Sequence, residues 1–153
     1  MRKICVGILV IVCMELFTGC TGQEESFMIT DITFCTGEPF DRSYEQNPDH
    51  RYAGGDLIWV YLECFRFDSM MDNGDSIAVF NITLEILDDV GACIQTGSQV
   101  IEVPTASTPV YAWLKFWIST DTMEEGTYTL RITVEDTISG EQATSQGEFT
   151  ITT

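Results

Sequence analysis

Positive charge is the scarcest commodity in this chain: 7 Lys and Arg stand against 24 Asp and Glu, a formal net charge of −17 over 153 residues. So acidic a surface repels nucleic-acid phosphates and anionic headgroups, which excludes a nucleic-acid partner. Histidine is nearly missing as well. The single His50 sits in "NPDHRY", and a Ser/His/Asp or Cys/His device needs a base oriented by a third group, which no spacing here supplies. A zinc centre would need closer His and Cys pairs than Cys35, Cys64 and Cys93 offer. His50 therefore reads as a solvated loop residue, and the chain as a protein without enzymatic role or cofactor. Paired acids do occur, as Asp88-Asp89, Glu124-Glu125 and Asp121, but neighbours are expected by chance in a chain this acidic, and no cleft can be argued for a glycosidase-like pair. Long apolar runs are absent too. Ile4 to Met14, interrupted by Gly7 and closed by Glu15, covers about 11 residues where a bilayer-crossing helix needs roughly 20.

What stands at the beginning is informative. Arg2 and Lys3, a short apolar core and then small residues describe a secretory signal peptide. The following Leu16-Phe17-Thr18-Gly19-Cys20 resembles the lipobox of prokaryotic lipoproteins: an aliphatic residue, two small residues, then the modified Cys. Phe17 stands where that family usually has Leu, Val or Ile. The resemblance implies cleavage ahead of Cys20 and a diacylglycerol thioether on its sulfur, and two acyl chains suffice for stable attachment. The alternative is ordinary secretory cleavage that leaves Cys20 free. Residues 1–19 are thus expected to be a lipoprotein signal peptide, 20–26 a tether and 27–153 the folded domain. Removing Arg2, Lys3 and Glu15 would leave a net charge of about −18 on an extracytoplasmic domain anchored to the cell membrane by Cys20.

From Phe27 onward apolar and polar residues alternate. Tyr128, Leu130, Ile132 and Val134 are set against Thr127, Thr129, Arg131, Thr133 and Glu135, and period-2 alternation sends one set to a core and the other to solvent. Similar segments fall at about 27–35, 57–66, 76–87, 98–103, 110–118 and 145–152. About seven short strands rich in Thr, Val, Ile and aromatics predict an all-β antiparallel sandwich. Asp72-Asn73-Gly74-Asp75 and Ser139-Gly140 supply turn residues. Pro104 and Pro109 keep their connection out of a central ladder. The stretch 36–55 is too long for a plain connection and is either functional or carries some structure of its own.

The stretch "MEEGTYTLRITVEDTISGEQATSQGEFTI" resembles the last two strands of prokaryotic immunoglobulin-like and fibronectin III-like domains. Its pattern is Gly126-x-Tyr128-x-Leu130-x-Ile132-x-Val134-x-Asp136, a Gly turn, then Phe149-x-Ile151. The likeness covers residues 110–153 well and 27–109 in strand count and spacing. It implies an immunoglobulin-like β-sandwich in which Tyr128 makes a corner, its ring inside and its hydroxyl returned to the backbone. With the lipobox, the whole resembles small archaeal or bacterial surface lipoproteins with one such domain.

Four sets of residues are candidates for chemistry or contact. Export leaves Cys35, Cys64 and Cys93 in an oxidising setting, as one pair plus a leftover or none paired. Strands running up and down in order put Cys35 and Cys93 at one end, so a Cys35–Cys93 disulfide with a buried Cys64 is expected, closing a loop worth about 4 kcal/mol on the chain-entropy account. Asp68, Asp72, Asn73 and Asp75 crowd one turn as a weak calcium candidate, without the EF-hand spacing, so the plain reading is a polar turn and no metal. Asn81-Ile82-Thr83 is a glycosylation sequon. Finally, Trp59 and Tyr61 on one strand and Tyr111, Trp113 and Trp117 on another alternate with apolar residues. Their outward rows, if adjacent, form a patch that signifies a partner, either a surface protein or a glycan, unless the 36–55 loop folds over it. The expected function is a structural or protein-interaction module at the cell surface. The alternative is a carbohydrate- or peptide-binding lipoprotein using the aromatic face and the 36–55 loop.

Overall fold

The computed structural model describes residues 26–106 and 109–153. The expected signal peptide, Cys20 and all but the last residue of the tether lie outside the described residues. The architecture is all-β. Strands in chain order are β1 (Met28–Ile29), β2 (Thr33–Cys35), β3 (Arg51–Ala53), β4 (Leu57–Phe65), β5 (Met70–Asp72), β6 (Asp75–Leu87), β7 (Cys93–Thr105), β8 (Ala112–Ser119), β9 (Gly126–Asp136) and β10 (Gln142–Thr152).

They form two sheets. In the first, β4 is central, with β8 antiparallel on one side and the short β1 and β2 antiparallel on the other. In the second, β3, β10, β9 and β6 follow in order, and β6 carries β7 along its other edge and the β5 hairpin at its beginning. One pairing departs from the antiparallel expectation: β3 runs parallel to the end of β10, Arg51 opposite Thr150 and Ala53 opposite Thr152. A strand delivered by the long connection arrives from the opposite direction to a hairpin partner, which permits parallel pairing.

The core follows from the alternation. Ile58, Val60, Leu62 and Cys64 of β4 face Leu130, Ile132 and Val134 of β9 and Phe80 and Ile82 of β6 across the interior, all essentially inaccessible. Phe34 of β2 bridges the sheets, its ring 5.8 Å from that of Phe149 on β10. Gly147 makes room for it: a Cβ there would lie 2.9 Å from the Phe34 ring.

Each end is tied by a buried polar residue. Thr120, at the end where β8 stops and β9 begins, accepts from the Gly55 amide and donates to the Asp56 carbonyl through one hydroxyl. At the opposite end the buried Asp136 accepts from the amides of Asp68 and Ile138 and from the Ser139 hydroxyl. The described chain begins at this Asp136 end, where the Phe27 amide donates to Glu141. The Asn73-Gly74 turn closes the β5–β6 hairpin with both residues at positive φ, 49° and 95°, the left-handed geometry that Asn and Gly tolerate.

Several expectations need correction. The segment 27–35 is two strands, because the Thr30 amide turns to the Glu63 carbonyl and the Thr30 hydroxyl accepts from the Glu63 amide. Strand β7 runs from 93 to 105, well beyond 98–103. His50 is less solvated than a free loop residue: its ring lies 4.7 Å from that of Phe34, and Nδ1 is 3.0 Å from the Glu148 carbonyl. The Cys35–Cys93 link does not form, and all three cysteines are free thiols. Cys35 and Cys93 do fall at the Thr120 end, but Cys35 is buried on β2, beside β4. Cys93 is exposed at the start of β7, with β10, β9 and β6 of the second sheet ordered between its edge and β3. Strand order along the chain fixes which end a residue occupies, whereas lateral position depends on which sheet edge each strand takes.

Candidate binding face

The register of β4 against β8 sets Trp59 opposite Trp117, Tyr61 opposite Lys115 and Glu63 opposite Trp113. Their even-numbered neighbours point into the core, so these residues share the outward face of the first sheet, and the two aromatic rows lie side by side.

About half of this face is sealed. After Cys35 the chain leaves the sheet, crosses β4 toward β8, turns back through the Phe40–Ser43 bridge and returns at Gln46 beside Cys35. We call residues 36–46 the flap. Tyr44 packs on Tyr61 with ring centroids 4.6 Å apart, and Phe40 meets Trp113 edge-on at 5.5 Å. Arg42 donates to both oxygens of Glu63, at 2.7 and 3.0 Å, while its guanidinium lies 4.0 Å above the Tyr111 ring. The Tyr111 hydroxyl donates to Asp41, the Tyr61 hydroxyl to Glu63, and Lys115 pairs with Glu38. Tyr61 is 2% exposed and Glu63 9%.

The electrostatics follow from this closure. The hydrogen bond from Arg42, opposed by burial and assisted by Tyr61, holds the Glu63 carboxyl below the usual carboxylate range. Burial, then the hydrogen bond to Glu63, pushes the Tyr61 phenol above its ordinary range. The hydrogen bond to Asp41 raises Tyr111. A carboxylate taken out of water is tolerated when its lone pairs are filled by a fork-shaped donor and a hydroxyl, and here both are present. The network is closure chemistry, since every titratable group in it is engaged with another.

Beyond the flap the face stays open. Trp117 is 64% exposed, and Leu57 is exposed beside it on the same face. The Trp117 ring lies 6.0 Å from that of Trp59, inclined at 52°, with the Lys115 ammonium 5.9 Å from the Trp59 ring. The open region continues around β8, which pairs only with β4 among the described residues. Between β8 and the overhanging β6–β7 ribbon lies a groove of about 550 Å³, walled by Trp113, Phe116 and Trp117 and floored by Ile82, Leu84 and Ile101. Volume, apolar lining and one cation suit reversible binding of an extended or flat molecule.

The remaining candidates are placed elsewhere. Asp72, Asn73 and Asp75 line the β5–β6 turn, with the Asn73 amide donating to Asp72, while Asp68 is held through its backbone by Asp136. Among the described residues no three His, Cys, Asp or Glu stand together in a way that would hold a metal ion. Asn81 occupies the middle of the second sheet, its side-chain nitrogen donating to Glu135 and its Oδ1 accepting from Ser98, so a glycan would share the nitrogen that contacts Glu135. Cys64 is buried on the inward face of β4, and burial pushes its thiol up to about 12. Sequence reasoning missed the roles of Glu38, Phe40, Asp41, Arg42 and Tyr44. Their one signal is two aromatics and an arginine in a segment otherwise read as a polar loop.

No protein family matches this chain, and no curated protein matches it either. Among solved structures, a mutant β-glucosidase from Listeria innocua, in complex with laminaribiose, is similar at 10% sequence identity and a TM-score of 0.41. The match covers 84% of this chain and 16% of that one, so the chain spans a small part of that protein's length.

Proposed function

We propose that this chain is an extracytoplasmic interaction module: an immunoglobulin-like domain carried on a lipidated Cys20 that presents a partly sealed aromatic face to a surface partner. The strand order supports the domain type. Strand β4 lies in the first sheet, β6 and β7 in the second, β8 returns to the first, and β9 and β10 close the second, an order compatible with Greek-key connections between two sheets. Tyr128 adds to it, with a buried ring and a hydroxyl that donates to the Glu124 carbonyl at 2.8 Å, four residues upstream.

The observation that carries the interaction reading is the selective exposure of Trp117. The flap stops short of this end of the face and leaves a Trp exposed beside an apolar groove. Large exposed aromatics of this kind anchor protein interfaces. The test is adhesion of cells displaying the full chain to their own envelope fraction, wild type against Trp117→Ala and Trp59→Ala. Loss with both substitutions at unchanged folding supports the reading, and retention with both ends it. Mass spectrometry of the mature N-terminus tests the anchor separately, since an unmodified Cys20 or a different first residue overturns it.

The groove favours a second reading, capture of a short sugar or peptide between β8 and β7. Glycan and peptide arrays that are blank for wild type and for Trp113→Ala alike would remove it.

A further inference from the structure

The sheets have unequal edges. On the first sheet one edge is cut into β1 and β2, of 2 and 3 residues, and the other, β8, is 8 residues long and carries Lys115. On the second sheet the β10 side is capped by the 3-residue β3 and by His50, whose carbonyl accepts from Thr150. Short strands and charged side chains are the usual protections of a sheet edge. Strand β7 is long, and its only protections, the charged Glu102 and the amide-less Pro104, both stand among its last four residues. It is 13 residues long, exposed from Cys93 to Val100, and bears Glu102 as its single charged side chain. Among the described residues it pairs only with β6, in unbroken register from Gln95 opposite Ile86 to Thr105 opposite Ser76.

Charge identifies the occupant. A basic partner would be drawn to the other 23 of the chain's 24 acids, and β7, with Glu102 alone, offers it almost nothing. Another copy of this chain is repelled least at this edge, which carries only Glu102. We propose that β7 is a self-association edge, two copies pairing antiparallel about Val100 so that their second sheets run on as one; this rests on reading the domain as an interaction module. The regular stretch 95–105 is centred on residue 100, so Gln95 stands opposite Thr105, each Glu102 opposite a Ser98, and each Pro104, which has no amide to donate, opposite a Thr96 near the end of the ladder, where one hydrogen bond is forgone. No carboxylate faces another, and the two Val100 side chains, each 61% exposed alone, meet across the two-fold axis. Ile101 and Val103 of each copy extend the apolar floor of the other copy's groove. The geometry has a consequence for anchored chains. The described chain begins at the end where β7 finishes, so antiparallel pairing points the two chain starts in opposite directions and joins facing membranes.

The test uses the full chain in detergent. In a Cys93→Ser background, Val100→Cys should link into a covalent dimer under mild oxidation, whereas the still more exposed Val110→Cys should not. Val100→Glu and Val100→Lys should each lose the dimer, and their mixture should regain it. Absence of the Val100→Cys link, equal linking at Val110→Cys, or a dimer that survives Val100→Glu would each overturn the proposal. Reconstituted by its own anchor into phosphatidylcholine vesicles, wild type should cluster them and Val100→Glu should not. Dimers in detergent without vesicle clustering would uphold the β7 edge and overturn the lipid-anchored reading.

Discussion

Two halves of one sheet face meet opposite fates. Tyr61, Glu63 and Trp113 lie under the flap, while Leu57 and Trp117, on the same strands and the same side, remain open and Trp59 between them is half-buried. Alternation cannot separate them, because it specifies a face and is silent about what lies above it. The difference comes from a segment whose contacts are remote: Asp41 and Tyr111 are 70 positions apart, Arg42 and Glu63 21. The flap in turn exposes its own aromatics, Phe40 at 70% and Tyr44 at 42%, so sealing shifts apolar surface outward as well as covering it.

Removing the centre of the sealed half should have the largest effect. Tyr61→Ala deletes a buried ring and leaves Glu63 one donor short, so a loss of about 3 to 5 kcal/mol is expected in urea denaturation. A smaller loss would mean that the flap collapses into the space. Next comes Glu63. Because the native fold lowers its carboxyl below the usual value of 4.5, ionised Glu63 stabilises the protein above that pH, and the contribution fades as pH falls through the lowered native value. Wild type should therefore be more stable than Glu63→Gln at pH 7, with the gap closing in acid. A constant gap would place the effect in packing. Tyr44→Ala removes a half-exposed ring from its partner and should cost about 1 kcal/mol.

The sequence made some of this legible, and physics says which part. Tyr128, Leu130, Ile132 and Val134 are all buried, and Asn73-Gly74 closes a hairpin, because alternation and turn chemistry are local. Strand β7 was underestimated because its exposed residues Ile94, Gln95, Thr96, Gly97 and Ser98 have no core face to impose a pattern. Strands β3 and β5 are 3 residues each, too short for periodicity. At the site, the outward direction of Trp59, Tyr61, Tyr111, Trp113 and Trp117 could be read from the strands. Their division into covered and open could not, because it depends on where the flap lands. The thiols teach the same lesson, since chain order places Cys35 and Cys93 at one end and leaves their lateral separation unspecified.

The smallest stability effect should come from Trp117→Ala, and its smallness is the point. The ring is 64% exposed and its nearest aromatic neighbour is Trp59, 6.0 Å away. Little surface leaves water when it packs, so the change should stay within about 0.5 kcal/mol, the usual range for exposed positions away from special features. Adhesion should fall regardless, because an open Trp contributes when a partner covers it. Tyr61→Ala, with its large stability loss, cannot separate a folding defect from a binding defect; Trp117→Ala can. A destabilisation equal to that of Tyr61→Ala would show that the open half is sealed as well, by something outside the flap, and the contrast between the two halves would disappear.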